Sequence, residues 1–345
     1  MVDLHELPAL LAVGPFMSSR SLQQLPDYTS PPLSIAIEAA PEKFRDDAYL
    51  DQIREVAVNG TCSLDNTGCQ MLFPPTSEAV ISGTAKLGVI IYGGGLVDPR
   101  SYSILAKELS EIYGLAVTIP IFPYDVAYLG CNGTDRIPLA AAAFPEVEKW
   151  VLAGHSMGGI GAQVDLWNIR NETSEQNLFV VGGLVLLGSY IRPDIGCGHI
   201  NFSQTNIPMA SAIGELDSIV NQTRFNAGQA YLPVNDTFHM EIMGGNHGYF
   251  GFYNDSLRTS ILNQNDGEPV IPRNVQKDLT IGAIIHVASR MGLPLPSFSK
   301  ATCDIHDSED IDERASSASS PSIMWHSYGI ILLALASTTS LFIFY

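Results

Sequence analysis

"VLAGHSMGG", Val151–Gly159, sets a serine between two glycines, Gly154 and Gly158, each two residues from Ser156. The run leading in, "WVLAG", reads as a strand, and the run leading out, "GGIGAQVDLWNI", as a helix. A serine on so sharp a strand-to-helix turn has a strained backbone and an Oγ exposed above the sheet. Side chains two residues to either side would collide, so glycines are required there. The helix N-terminus behind the serine favours negative charge developing beside it. The pattern alone is weak, and the elements around it give it weight.

Working outward, "KLGVIIY" is a continuous apolar run, as expected of a strand buried on both faces. In "DPRSYSILAKELSEIYG", Asp98 fits an N-cap, Pro99 the first helical position and Gly114 the C′ position. Tyr102, Leu105, Ala106, Leu109, Ile112 and Tyr113 share one face of that helix. "LAVTIPIF", "LFVVGGLVLLG", "IPMASAIG" and "FHMEIMGG" read as further strands. "IPLAAAAFPEVEK" and "QKDLTIGAIIHVASRMG" read as helices. This alternation predicts a mostly parallel central sheet with helices on both faces, an α/β fold.

A serine hydroxyl is a poor nucleophile without a base. The base is expected past the last core strand, where "MGGNHGYFGFY" supplies His247. The orienting carboxylate is expected at the end of the preceding strand, where "GELDSIV" supplies Asp217; Glu215 and Asp98 are alternatives. An oxyanion hole needs two backbone N–H donors. Met157, just after the serine, offers one, and the loop "YGGGLVD" the other, with Gly94 the first choice and Gly95 the next. His155, His239 and His286 read as structural. Tyr249, Phe250 and Phe252 read as core or pocket wall. The chemistry calls for no cofactor, and no metal-ligand cluster, P-loop or dinucleotide fingerprint appears.

The segments "IIYGGGLVDPRSYSILAKEL", "WVLAGHSMGG", "GELDSIV" and "GGNHGYFGFY" occur in the order of an α/β-hydrolase. The chain resembles that superfamily over roughly 73–299, and within it the compact group related to dienelactone hydrolases and small polyester or acyl esterases. The resemblance implies an α/β-hydrolase fold and a serine hydrolase cleaving carboxylic esters through a Ser156–Asp217–His247 triad. Dienelactone hydrolases proper use a cysteine where this chain has Ser156, which favours ester chemistry. The stretch between "LVLLGSY" and "IPMASA" leaves little room for a lid. The alternative is a cell-surface recognition protein that keeps the fold without turnover.

The composition bounds the rest. A net charge of −18 argues against a nucleic-acid partner; the expected partner is a small-molecule or lipid-like ester. Seven N-x-S/T sequons, at Asn59, Asn132, Asn171, Asn201, Asn221, Asn235 and Asn254, exceed the roughly two expected by chance and suggest glycosylation in the secretory pathway. The odd count of five cysteines means that at least one is unpaired or pairs outside the chain; Cys62 and Cys69 are close enough to close a short loop.

Residues 1–72 read as an N-terminal extension with a weak signal segment at its start and one helix in "PEKFRDDAYLDQIREVA". The hydrolase-like domain follows at 73–299, then an acidic, Ser/Ala-rich linker at 300–322 and an apolar tail at 323–345. The tail is expected either to be exchanged for a glycolipid (GPI) anchor at a serine near Ser317 or to span the membrane, leaving the domain anchored at the cell surface.

Overall fold

The computed structural model describes residues 70–122, 125–128, 130–131, 136–171, 180–253 and 264–295. Outside these lie the signal segment, the helix in "PEKFRDDAYLDQIREVA", Asn59, Asn132, Asn254, Cys62, Cys69, Cys303, the linker and the tail.

Seven strands form one sheet in the order β1-β3-β2-β4-β5-β6-β7. They are β1 (Gln70–Phe73), β2 (Leu87–Tyr92), β3 (Ala116–Pro120), β4 (Lys149–His155), β5 (Val180–Leu187), β6 (Met209–Gly214) and β7 (Thr237–Ile242). β1 pairs antiparallel with β3, and the other pairings are parallel. The helices are α1 (Ser77–Ile81), α2 (Ser103–Glu111), α3 (Arg136–Ala143), α4 (Met157–Asn171), α5 (Gln222–Gly228) and α6 (Arg273–Ser289). The expected α/β architecture is present, with β1 and α1 added at its start. The sheet therefore reaches back to Gln70, across the boundary expected at residue 73.

Alternate residues of the central strands face opposite layers, the two-residue period of a pleated strand. Leu87, Val89 and Ile91 of β2 and Val151 and Ala153 of β4 pack in one core with Leu105 and Leu109 of α2 and Ile281 and Ile284 of α6. Ile90, Tyr92, Trp150 and Leu152 pack in the other with Ile137 of α3 and Ala162 and Leu166 of α4. Burial on both faces is why these strands read as unbroken apolar runs.

Two helices differ from expectation. The segment after Asp98 begins as a 3₁₀ turn, Pro99–Tyr102, and becomes α-helical only at Ser103. The Asp98 carboxylate accepts the Arg100 N–H as a cap and also forms a buried ion pair with the Arg100 guanidinium. α3 stops at Ala143, because Pro145 ends it and Lys149 already belongs to β4. The connection from β5 to β6, residues 188–208, contains no helix or strand, consistent with the little room expected there for a lid.

Cys131 and Cys197 form a disulfide, with Cα atoms 4.9 Å apart. It joins the connection after β3 to the connection after β5. Beside it the Tyr128 hydroxyl donates to the Ile195 carbonyl at 3.1 Å.

Candidate active site

β4 is the middle strand of the sheet, and its C-terminal end delivers Ser156. Ser156 has φ +53°, a conformation that costs an L-residue energy and persists only when its surroundings hold it. They do so on both sides of the residue. Its N–H donates to the Leu187 carbonyl at 2.9 Å, and its carbonyl accepts the Ser189 hydroxyl at 2.8 Å. The flanking glycines answer to close approach: a Cβ on Gly154 would lie 2.5 Å from the Gly158 carbonyl oxygen, and one on Gly158 would run into the Tyr92 carbonyl.

Asp217 and His247 come from the loops after β6 and β7, at the same end of the sheet. Asp217 Oδ2 lies 2.8 Å from His247 Nδ1, with both side chains fully buried. The carboxylate can only accept, so Nδ1 carries the proton and a neutral His247 presents a lone pair at Nε2. The other oxygen, Oδ1, accepts the N–H groups of Ile219 and Val220 at 3.0 and 2.9 Å. Burial alone would push the Asp217 carboxyl up. Attraction to the imidazolium form of His247, the hydrogen bond from its Nδ1, and the Val220 and Ile219 N–H groups outweigh it and hold the carboxyl below its ordinary value.

The two alternative acids are occupied elsewhere. Glu215 is exposed and accepts the Gly244 N–H at 2.7 Å. Asp98 is taken by Arg100.

The pair and the serine meet at the end of β5. A Cβ on Gly188 would lie 2.9 Å from His247 Nδ1 and 3.1 Å from Asp217 Oδ2. His155, one residue before the serine, stacks on His247 with ring centroids 4.7 Å apart. His247 Nε2 is buried and makes no hydrogen bond. The structure thus joins Asp217 to His247 and brings both beside Ser156, without a bond from Ser156 to His247.

The donors are arranged as follows. Met157 is the first residue of α4, so its N–H has no partner within the helix. The N–H of Gly94, the first choice for the second donor, is already engaged: it donates to the Tyr102 hydroxyl at 2.8 Å. Leu96 N–H donates to Asp125 O at 2.8 Å and Val97 N–H to Gly94 O at 3.2 Å. From Gly94 to Val97 this leaves the Gly95 N–H, and a Cβ on Gly95 would lie 3.0 Å from the Met157 side chain. Of the two candidates, it is the Gly95 N–H, the next choice, that these bonds leave unengaged.

Several residues that hold the site were not singled out from sequence. Ser189 fixes the serine turn. Asp266 Oδ2 accepts the Gly248 N–H at 2.8 Å and its Oδ1 the Ser218 N–H at 3.3 Å, tying the histidine loop to the acid loop. Gln276 of α6 grips Asn246 through both its N–H and its carbonyl. Phe250 and Phe252 are buried and Tyr249 is half-buried; the Arg273 guanidinium lies 4.5 Å over the Tyr249 ring. His155 is fully buried in a hydrogen-bond network, His239 is exposed on β7, and His286 packs on Phe238 with ring centroids 4.5 Å apart. Among the described residues, no group of three or more His, Cys, Asp or Glu is placed to hold a metal ion.

No curated protein matches the chain. Solved structures similar to it include a putative hydrolase from Agrobacterium vitis S4, at 16% identity over 63% of this chain and 92% of that one, TM-score 0.42. Esterase Est2 from Thermogutta terrifontis is similar at 13% identity over 66% and 89%, TM-score 0.44. XC6422 from Xanthomonas campestris, described as an a/b serine hydrolase without lid, is similar at 13% identity over 66% and 90%, TM-score 0.41. The model of the alpha/beta hydrolase family matches residues 88–272, more than half of the sequence, and the chain belongs to that family.

Proposed function

We propose that the protein is a serine hydrolase that cleaves carboxylic esters through an acyl-enzyme, in the manner of the compact dienelactone-hydrolase-like esterases. The observation that carries this reading is the buried Asp217–His247 pair, with an unpartnered Nε2 and with its ring stacked on His155, the residue before a serine held at positive φ. Ser156 Oγ attacks the ester carbonyl while His247 Nε2 takes its proton. The C–O bond to the alcohol breaks as the imidazolium returns that proton to the leaving oxygen. Water, deprotonated by the same Nε2, then releases the acid and regenerates Ser156. Asp217 holds the tautomer and stabilises the imidazolium. Met157 and Gly95 N–H groups receive the oxyanion. Every step is a proton or acyl transfer among the chain's own groups, the ester and water.

The test is turnover of a panel of p-nitrophenyl esters together with labelling by a fluorophosphonate. Wild type should hydrolyse at least one ester and take up the label, and Ser156→Ala should do neither while keeping its melting temperature within about 2 °C. Ester turnover in purified Ser156→Ala at the wild-type rate would overturn the assignment. A wild type that neither labels nor turns over would favour the recognition-protein reading.

The maturation route belongs to the same proposal: the chain folds in the secretory pathway and carries N-linked glycans. A disulfide between two distant loops suits an oxidising compartment. Asn171, Asn221 and Asn235 are exposed and Asn201 is half-buried. At Asn221, Oδ1 caps α5 by accepting the Arg224 N–H at 3.0 Å, which leaves the amide nitrogen for a sugar.

A further inference from the structure

Three buried groups form a chain of hydrogen bonds that the acyl-transfer steps do not use. Gly94 N–H donates to the Tyr102 hydroxyl at 2.8 Å. That hydroxyl lies 2.7 Å from His155 Nδ1. His155 Nε2 lies 3.1 Å from the His247 carbonyl oxygen. The direction of each bond follows from its ends. A carbonyl only accepts, so Nε2 of a neutral His155 carries the proton and Nδ1 is bare. Tyr102 then donates to Nδ1 and accepts from Gly94. Tyr102 and His155 are fully buried, so water does not compete for these positions.

The consequence lies one peptide further on. The Gly94 carbonyl accepts the Val97 N–H at 3.2 Å, closing a turn over Gly95 and Leu96, with Leu96 at φ +61°. In a planar trans peptide the N–H points opposite to the carbonyl it is joined to. With the Gly94 carbonyl turned into the loop, the Gly95 N–H must point out of it. Tyr102 holds the Gly94 N–H and Val97 holds the Gly94 carbonyl, so the Gly95 donor is fixed before any substrate arrives.

We infer that Tyr102, held by His155, is a positioning residue that selects the Gly95 N–H as the second oxyanion donor. This rests on the ester-hydrolase reading above. Preorganised donors act on charge that develops only in the transition state. Loosening this one should therefore lower kcat and leave KM nearly unchanged. The link through His155 to the His247 carbonyl also sets the donor loop and the histidine loop on one frame.

The experiment compares wild type, Tyr102→Phe and Ser156→Ala. It measures kcat and KM on a p-nitrophenyl ester, the pH profile of kcat/KM, inhibition by an alkyl trifluoromethyl ketone, and melting temperature. The ketone adds to Ser156 and places its oxyanion in the same hole. For Tyr102→Phe the expected result is a kcat about 10- to 100-fold lower, below the cost of deleting a donor outright because the N–H survives in a looser loop. KM should stay within about twofold, and the pH profile of kcat/KM should keep its wild-type shape, because the variant leaves the Asp217–His247 pair intact. The inhibition constant should rise by the factor by which kcat/KM falls, since both report oxyanion binding.

If Tyr102→Phe does not fold, His155→Gln takes its place. Gln keeps an acceptor for the Tyr102 hydroxyl, and the matched loss of kcat/KM and ketone affinity should then be partial, about tenfold at most. A Tyr102→Phe enzyme with wild-type kcat overturns the inference alone. So does a loss carried by KM, or a fall in kcat/KM without a matching loss of ketone affinity. A wild type inert toward esters and the ketone overturns the ester-hydrolase reading, and this one with it.

Discussion

Asp217 splits its two oxygens between two jobs, and this makes its role separable from that of its neighbour Glu215. Oδ2 faces His247, while Oδ1 closes its own loop onto Ile219 and Val220. Asp217→Asn keeps the shape but offers an amide where the histidine needs an acceptor. Its kcat should fall by about 10³–10⁴ through the wrong tautomer, whereas Glu215→Gln, on an exposed side chain, should change kcat less than about threefold. The reverse ranking would move the acid to Glu215. The same carboxyl gives a pH signature in stability. Its folded-state affinity for protons lies below the unfolded one, so it contributes stability above the ordinary carboxylate range, about pH 4. That contribution is lost as pH falls through the lower folded value. The gap in unfolding free energy between wild type and Asp217→Asn should thus be wider at pH 6 than at pH 3, and a gap independent of pH would count against the buried carboxylate. Asp217, His247 and Ser156 were legible as positions because each follows an apolar run that ends at the same edge of a parallel sheet. The choice between Gly94 and Gly95 was not. It turns on which N–H of the loop is already engaged; that of Gly94 is taken by a hydroxyl eight residues away, and a string of glycines carries no record of that.

Among the elements, α4 lies against main chain on two sides of the serine turn: a Cβ on Gly154 would meet the backbone of Gly158 and Gly159, and one on Gly158 the carbonyls of Tyr92 and Gly93. An added methyl at either position meets main chain, which cannot swing aside as a side chain can. Gly154→Ala should cost at least about 3 kcal/mol and lower the melting temperature by roughly 8 °C or more. Gly282 in α6 is the matched control. It is exposed, with open space where a Cβ would go, and Gly282→Ala should stabilise by about 0.5–1 kcal/mol from helix propensity. Equal melting temperatures for the two variants would show that the serine turn tolerates side chains and remove the packing argument. The long, doubly buried strands were legible as unbroken apolar runs. β1 was not: four residues at the sheet edge, "QMLF", give no period to read, and their partner β3 lies more than forty residues away. The 3₁₀ start at Pro99 escaped notice for a related reason. Its cap residues suit either helix type, and the buried Asp98–Arg100 pair that accompanies the turn is a three-dimensional fact.

At the scale of the whole molecule, the question is what a chain of net charge −18 gains from a covalent tie between the β3 and β5 connections. The Asp125 carbonyl, in the first of these connections, holds Leu96 of the donor loop, and the second runs on from Gly188 and Ser189 beside the serine. The Cys131–Cys197 bond therefore braces two walls of the candidate site from outside it. Its loop spans a sequence separation of 66 residues, for which chain entropy alone gives about 4 kcal/mol of stabilisation. The pairing could not be read from cysteine spacing, since it depends on how β3 and β5 lie in the sheet. It makes a joint test of fold and compartment. Protein from its native source should show a melting temperature at least about 8 °C lower in strong reductant than without it. The same preparation should lose mass on endoglycosidase treatment, through sugars on some of Asn171, Asn201, Asn221 and Asn235. If reductant leaves the melting temperature unmoved, the disulfide is not formed in the native protein. If the mass is also unshifted by endoglycosidase, the chain matures in a reducing compartment and the secretory proposal falls, while the buried Asp217–His247 pair and the chemistry built on it stand untouched.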